Sequence, residues 1–220
     1  MRVAVLGAGG KVGRELVAQI TAARDLSLAG AISGRTGTTL AAAGFDADVL
    51  VDFSSPCATM DLLDALAGCP LPLVIGTTGF SADQTARLRA EGARRPILVG
   101  ANFTLGFEAF RRCGLQLAAD LSGADLTVEE TYNIAKKPVA SGTTQGLIAD
   151  LAANGRTVAT QINRLGDTPG INTIRLDLGV AEISLTLKVG SRAAYAAGAL
   201  VAARWLCAQA NGAYTPADIS

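Results

Sequence analysis

The N-terminal end of the sequence holds the feature that most restricts its fold, a glycine-rich turn between a strand and a helix. An apolar run, RVAVL, precedes the turn, and RELVAQITAA follows it with apolar residues at helical spacing. Three glycines at this spacing allow a tight turn, a close approach to a pyrophosphate and packing of the helix on its strand. The pattern predicts a dinucleotide held at the helix N-terminus, although an ordinary turn of an α/β unit is the alternative. The residues concerned are Gly7, Gly10 and Gly13 of the motif, with Lys11 and Val12 as further cofactor contacts.

The end of the second predicted strand bears on which dinucleotide is bound. A site that prefers NAD usually has an acidic residue about 20 residues after the glycines, where it binds the ribose 2′-OH. Here Ser33 takes that place and Arg35 follows it. Because an arginine there accommodates a 2′-phosphate, the pair predicts NADPH, with NADH as the second choice. A small turn with a solvated arginine is the alternative.

Strands and helices alternate over residues 48–103, and this alternation predicts a parallel sheet. The predicted strands are 48–53, 72–78 and 96–103, and the predicted helices are 59–67 and 82–91. Ligands of such sheets lie beyond the carboxyl ends of the strands, so the loops there are candidate cofactor contacts. The candidates are Phe53, Gly76, Thr77, Thr78, Ala101, Asn102 and Phe103.

The pattern changes after Phe103, which indicates a second structural part. A long helix is predicted over 105–121, followed by a strand and a polar stretch, EETYNIAKKPVASGTT. A helix begins near Thr143, because a Ser/Thr cap precedes apolar residues at helical spacing. Three strand-like runs follow, the last two close enough at Gly179 to form a hairpin, and a final helix is predicted over 192–209.

Composition excludes several classes of protein. Lysine plus arginine equals aspartate plus glutamate, so no large net charge favours nucleic acid or an anionic membrane surface. The sequence has no histidine, the side chain most often used for proton transfer near neutral pH. No signal peptide or membrane-spanning run is recognised, and we expect a cytoplasmic protein. The four cysteines are predicted to be small buried residues without a disulfide or metal site: Cys57, Cys69, Cys113 and Cys207.

Several motifs in fixed order resemble the dihydrodipicolinate reductase family over nearly the whole chain. They are VLGAGGKVGREL, VDFSSP, VIGTTGF, GANFTLG, EETYNIAKKPVASGTT and SRAAYAAGALVAARWL. The resemblance implies an α/β protein with a Rossmann domain of residues 1–104 and 190–220, completed by the C-terminal helix. It also implies an inserted substrate-binding and oligomerisation domain over 105–189, of mainly antiparallel strands. A homo-oligomer, dimer or tetramer, is expected with it.

The resemblance also assigns roles within the polar stretch. The family reduces a cyclic unsaturated imine dicarboxylate with a hydride from NADPH or NADH. Its motif places a glutamate on Glu130 and a lysine on Lys136, whereas Tyr132 and Asn133 stand where the family has two histidines. On this resemblance, the chain would be a divergent, short member of the family with the motif histidines replaced. The implied substrate-binding residues are Asn133, Lys136, Ser141, Gly142 and Thr143.

Two chemical consequences follow from these replacements. Lys136 can hold a substrate carboxylate, and either Lys136 or Tyr132 can donate the proton, since both are protonated at neutral pH. The leading hypothesis is therefore NADPH-dependent reduction of an imine of the dihydrodipicolinate type in lysine and diaminopimelate biosynthesis. The alternatives are another imine reductase or an amine dehydrogenase and, as a separate class, an inactive nucleotide-binding homologue.

Overall fold

The computed structural model describes residues 1–34, 46–153 and 155–219. The chain divides into two compact units. The first contains Met1–Leu105 and Arg192–Ser220, and the second contains Gly106–Ser191. The first unit therefore takes its residues from both ends of the chain, and the second unit is an insertion.

Parallel strands form the centre of the first unit. Among the described residues the order in the sheet is β10-β5-β4-β3-β1-β2, with every neighbouring pair parallel. The strands are β1 (Arg2–Leu6), β2 (Ser27–Ile32), β3 (Val49–Asp52), β4 (Leu73–Ile75), β5 (Pro96–Val99) and β10 (Gly212–Tyr214). The helices are α1 (Lys11–Ala22), α2 (Pro56–Ala65), α3 (Ala82–Ala90) and α6 (Ala193–Leu206), with short 3₁₀ turns at Glu91–Ala93 and Pro216–Asp218.

Helices cover both faces of this sheet, as its strands require, because β1, β3 and β4 are apolar at nearly every position. On one face α1 and α6 pack with Val3, Val51 and Val74. On the other face α2 and α3 form a second core. The predicted completion of this unit by the C-terminal helix is confirmed, since α6 shares the core of α1.

The short strand β10 was not predicted from the sequence. It lies at the sheet edge and pairs in parallel with β5, Ala213 opposite Ile97. Three residues are too few to show a periodic pattern, and the close approach of Gly92 to the backbone of Ala213 is a tertiary feature. The predicted strand over 96–103 was too long. It ends at Val99, and Asn102 Oδ1 then accepts a bond from the Thr104 N–H at 2.8 Å, which stabilises a turn.

The second unit is a sheet with two helices on one face. In its described part the strand order is β7-β6-β8-β9, with β6 and β7 parallel and the other pairs antiparallel. Its core lies between the sheet and the two helices. The predicted hairpin at Gly179 is confirmed as the β8–β9 connection. The elements are α4 (Phe107–Asp120), β6 (Asp125–Tyr132), α5 (Gly142–Ala152), β7 (Val158–Arg164), β8 (Gly170–Asp177) and β9 (Glu182–Val189).

The prediction that the cysteines are buried was wrong. Cys57, Cys113 and Cys207 are exposed and Cys69 is half-buried, all as free thiols. Cys57 and Cys113 lie on helix positions that face away from the cores. The prediction used only the residue type, whereas the exposure of these side chains depends on their helix face. None of the helices in the described part of the chain is long and apolar enough to cross a membrane.

Candidate active site

The glycine turn after β1 has the geometry that the sequence predicted. Gly7 has φ +85°, a conformation that favours glycine, and a Cβ there would lie 2.4 Å from the Phe53 carbonyl oxygen. Gly13 packs so closely that its Cβ would lie 2.0 Å from the Gly7 carbonyl oxygen. Gly10 is the N-cap of α1 and places no side chain over the first turn. The amide groups at that end are therefore accessible to an anion such as a pyrophosphate.

Aromatic residues meet at the carboxyl ends of β3 and β5. The Phe53 and Phe103 rings contact edge to face, with their centroids 5.7 Å apart. Gly76 follows β4 and presses on the Phe53 ring, because a Cβ there would lie 2.2 Å from a ring carbon. The structure thus brings together three of the predicted cofactor contacts. They lie next to the glycine turn, because the backbone of Phe53 packs against Gly7.

A buried carboxylate orders the loops beside these rings. Asp52 is fully buried and accepts bonds from the hydroxyl groups of Ser54, Thr59 and Thr77. The Thr77 oxygen also accepts from the Ser54 N–H at 2.9 Å. Burial raises the pKa of Asp52 above its usual range, and the hydroxyl donors only partly oppose this. Thr77 is therefore held in one orientation from within the fold.

For the other predicted cofactor residues, the structure gives their position and exposure but no contact that bears on cofactor binding. Ser33 is 6% exposed at the end of β2, and Thr78 and Ala101 are exposed in the loops after β4 and β5. Lys11 is exposed and Val12 half-buried in the first turn of α1, and Asn102 is buried. Arg35 lies outside the described residues, so the cofactor prediction that depends on it stays a prediction.

In the second unit, polar side chains gather around the buried carboxylate of Glu130. The Ser141 N–H donates to Glu130 Oε2 at 3.0 Å, and the Thr144 hydroxyl donates to the same oxygen. Arg164 Nη2 donates to Glu130 Oε1 at 2.7 Å. Burial alone would raise the pKa of Glu130, but these donors outweigh it and the pKa is lowered. Glu130 therefore binds the N-terminus of α5 as an internal anion.

Tyr132 and Lys136 lie against each other. Lys136 Nζ is 3.3 Å from the centroid of the Tyr132 ring, a cation–π contact. The Tyr132 side chain is buried, and its hydroxyl donates to Asn172 Oδ1 at 3.3 Å. Burial raises the pKa of Tyr132, and the Ser141 hydroxyl opposes this only in part. Partial burial lowers the pKa of Lys136, which the charge of Glu130 opposes and that of Arg164 reinforces.

Asn133 points toward the neighbouring loop. Its amide nitrogen donates to Asp167, and its Oδ1 accepts from the Ala135 N–H at 2.8 Å. These bonds stabilise the turn that leads to Lys136. That Asn133 binds substrate stays a prediction, whereas Ser141, Gly142 and Thr143 do form the N-terminus of α5.

Two members of this cluster were missed by sequence analysis. Arg164 lies directly opposite Tyr132 in the β6–β7 pairing, a parallel contact that joins strands separated by a helix. Asn172 pairs with Glu130 and alternates with the buried Ile174 and Leu176. A polar residue on the apolar face of β8 was the available signal for Asn172. No comparable pattern marks Arg164.

The described residues contain no group of three or more histidine, cysteine, aspartate or glutamate side chains that could hold a metal ion. The glycine turn of the first unit and the polar cluster of the second are suited to different ligands. The turn fits a dinucleotide, and the cluster combines a cation with a helix N-terminus, which fits a carboxylate. A parallel sheet with this glycine turn is typical of the Rossmann class of proteins that bind pyridine nucleotides, most of them oxidoreductases.

Comparison with known proteins gives the particular family. The chain matches the N-terminus of dihydrodipicolinate reductase over residues 1–103 and its C-terminus over residues 106–219. Curated 4-hydroxy-tetrahydrodipicolinate reductases from Burkholderia mallei (strain SAVP1) and Burkholderia pseudomallei (strain 668) are each 33% identical to it. The alignments cover 100% of this chain and 97% and 98% of those relatives. The chain belongs to the dihydrodipicolinate reductase family, and the predicted family and fold class are confirmed.

Solved structures agree on the fold. The dipicolinate-bound dihydrodipicolinate reductase from Paenisporosarcina sp. TG-14 has a TM-score of 0.76 at 18% identity, over 98% of this chain and 97% of that one. An amine dehydrogenase from Mycobacterium smegmatis has a TM-score of 0.66 at 11% identity, over 100% of this chain and 96% of that one.

This chain is shorter than its Burkholderia relatives. The alignments with them run over 264 positions. Because this chain has 220 residues, at least 44 positions (264 minus 220) have no counterpart in it.

Proposed function

We propose that this protein reduces a cyclic imine dicarboxylate of the dihydrodipicolinate type, in the lysine and diaminopimelate route, with NADPH. The observation that carries the proposal is the cluster of the second unit. There Lys136, Tyr132 and the N-terminus of α5 lie around Glu130. Membership of the family supports the reaction, and its relatives carry the name of the reductase.

The cofactor would be held by the first unit. Gly7 and Gly10 leave room for the pyrophosphate at the N-terminus of α1, and Phe53 and Phe103 offer apolar surface at the strand ends. The reduced nicotinamide supplies the hydride when it is bound. Ser33 and Arg35 favour NADPH over NADH, because an arginine in this region suits a 2′-phosphate.

Lys136 is the proposed carboxylate ligand and proton donor. Partial burial lowers its pKa, which makes it a stronger acid than an ordinary lysine and favours proton donation. Tyr132 fits this role less well, because its hydroxyl is buried and bonded to Asn172 and its pKa is raised. Tyr132 instead provides the ring on which Lys136 rests.

The N-terminus of α5 is the proposed second anion contact. Glu130 already accepts the Ser141 N–H, so a substrate carboxylate would be bound by the Gly142 N–H at the same helix end. Because Glu130 is an anion at the same helix end, we expect a weaker attraction there than a helix N-terminus free of internal anions would give.

A steady-state assay tests the proposal. Purified protein is mixed with NADPH and the enzymatically generated dihydrodipicolinate precursor, and loss of absorbance at ~340 nm is followed. We expect turnover of about 1 s⁻¹ or more, as is ordinary for enzymes. A protein that binds NADPH but does not turn over this substrate would contradict the proposal.

The cofactor assignment has a test of its own. Replacing Arg35 by alanine should weaken NADPH binding more than NADH binding, because only NADPH carries the 2′-phosphate. Dissociation constants by fluorescence titration give both values. Equal losses for the two cofactors would refute the NADPH assignment.

Reduction of a different imine, or reversible amine dehydrogenation, is the second candidate. Tyr132 and Asn133 favour it, because the histidines of the family motif are replaced and Asn133 is bonded to Asp167. Activity on another cyclic or open-chain imine, with none on the dihydrodipicolinate precursor, would establish it.

We also propose that the protein is a homo-oligomer, a dimer or a tetramer. Measurement of its molar mass in solution tests this.

A further inference from the structure

The loop that carries Lys136 has few internal means of keeping its shape. We call residues 134–140 the lysine loop. Its apolar side chains do not anchor it, since Ile134 is 71% exposed and Val139 is 58% exposed. At its start the Ile134 N–H donates to the Gly166 carbonyl at 3.0 Å, and at its end Gln145 donates to the Ala140 carbonyl at 3.0 Å. Up to Lys136 the turn is closed by Asn133, whose carbonyl accepts from the Lys136 N–H at 3.0 Å and whose Oδ1 accepts from the Ala135 N–H at 2.8 Å. Within the described chain, the segment after Lys136 lacks such bonds of its own and needs support from outside the loop.

Arg164 supplies that support. Its Nε and Nη2 donate to the Lys137 carbonyl at 3.0 and 2.7 Å, and Nη2 also donates to the Val139 carbonyl at 2.8 Å. Nη1 donates to the Asn163 carbonyl at 2.8 Å, within its own strand. The side chain is only 10% exposed. These bonds use the planar fork of a guanidinium, which a lysine ammonium cannot reproduce.

Arg164 is in turn held by Glu130. Glu130 also accepts from Ser141, the N-cap of α5, so one carboxylate contacts both the arginine and the helix end. The lysine loop connects β6 to α5, and this pair of residues thus ties the loop to the two elements that it joins. Arg164 stands opposite Tyr132 in the β6–β7 register, at the point where the loop leaves β6.

We propose that Arg164 is a positioning residue that holds the lysine loop, and with it Lys136, in place beside the N-terminus of α5. The inference rests on the proposed function for the role of Lys136, and on the hydrogen bonds alone for the order of the loop. Arg164 is not proposed to touch a reacting atom. It acts through Lys136, by fixing the backbone that follows it.

Arg156 provides a matched control. It too is an arginine that donates to backbone carbonyls, those of Ala118 and Ala124. Those carbonyls lie near the start of β6, whereas Arg164 pairs with Tyr132 at its end. Seven steps along a strand separate the two ends by roughly 23 Å. Arg156→Gln therefore removes arginine bonds to backbone carbonyls far from the lysine loop, without touching the Glu130 ion pair.

Site-resolved trypsin cleavage measures the order of the loop directly. Trypsin can cut after Lys136, whereas the bond after Lys137 precedes Pro138 and resists it. We expect Arg164→Gln to speed cleavage after Lys136 about tenfold or more relative to wild type, and Arg156→Gln to leave that rate unchanged. Equal rates after Lys136 in the two variants would overturn the proposal. If Arg164→Gln does not fold, Arg164→Lys is used instead; it loses the planar fork and should be cleaved after Lys136 faster than wild type. A wild-type rate in that variant would overturn the proposal.

Ligand binding distinguishes positioning from general stability. With Arg164→Gln, KM for the imine and the dissociation constant of dipicolinate should rise about tenfold, while NADPH affinity stays as in wild type. An unchanged KM and dipicolinate affinity would contradict the role toward Lys136. If wild-type protein does not reduce the imine, the proposed function fails, and the cleavage rates still decide whether Arg164 orders the loop.

Discussion

Tyr132 and Lys136 are the two candidate proton donors of the polar cluster, and the structure places their polar groups differently. The ring of Tyr132 faces the Lys136 ammonium, and its hydroxyl is directed to Asn172. Sequence analysis identified both residues as candidate donors but could not choose between them. The choice depends on burial and on Asn172, which lies 40 residues further along the chain.

Substitution separates the two candidates. Lys136→Gln should lower kcat/KM by about 10²-fold or more, the usual contribution of a general acid. Tyr132→Phe keeps the ring under Lys136 and removes only the hydroxyl, so its loss should stay below about tenfold. Steady-state kinetics with saturating NADPH gives both values. A larger loss for Tyr132→Phe than for Lys136→Gln would make Tyr132 the donor.

Glu130 predicts a distinct response to acid. Its pKa in the folded protein is below the ordinary value near ~4.3, so its ionised form stabilises the fold above that pH. The contribution is lost as pH falls from the ordinary value through the lowered pKa. Thermal unfolding of wild type and Glu130→Gln should therefore differ most at pH above about 5 and converge in acid. A difference that does not change with pH would contradict this.

At the scale of elements, α6 shows how closely a helix can approach a loop. A Cβ on Gly198 would lie 1.5 Å from the Phe103 carbonyl oxygen, whereas Gly146 in α5 has open space around it. Gly198→Ala should cost about 3 kcal/mol, since the backbone must shift. Gly146→Ala should stabilise the protein by about 0.5–1 kcal/mol, because alanine loses less backbone freedom than glycine. Chemical denaturation measures the free energy of unfolding of both variants. An unchanged value for Gly198→Ala would contradict the expected clash between α6 and the Phe103 carbonyl.

The elements themselves followed from local pattern, whereas their partners did not. The alternation of strand and helix predicted the parallel sheet, and the Ser141 cap predicted the start of α5. The edge strand β10 and the parallel pairing of β6 with β7 depend on contacts between distant parts of the chain. The sequence did not predict a role for Arg164, because only the β6–β7 pairing brings it to Tyr132.

At the scale of the whole molecule, the two units have separate cores, and each carries one ligand's predicted contacts. Hydrogen exchange should show this division. NADPH should slow amide exchange at residues 7–13, and dipicolinate added to the NADPH-bound protein should slow it at residues 130–145. Dipicolinate that protects only the first unit would contradict the assignment of the second as substrate-binding.

The contact of Lys136 with Tyr132 gives the protein a spectroscopic label of its own. Protons held over the face of an aromatic ring are shielded by its ring current, so the ε-methylene protons of Lys136 should resonate upfield of those of Lys11, Lys137 and Lys188. A carboxylate that draws the ammonium off the ring would return that signal to the ordinary lysine position. Occupation of the site could then be titrated by NMR from a single resonance, with no substitution and no turnover.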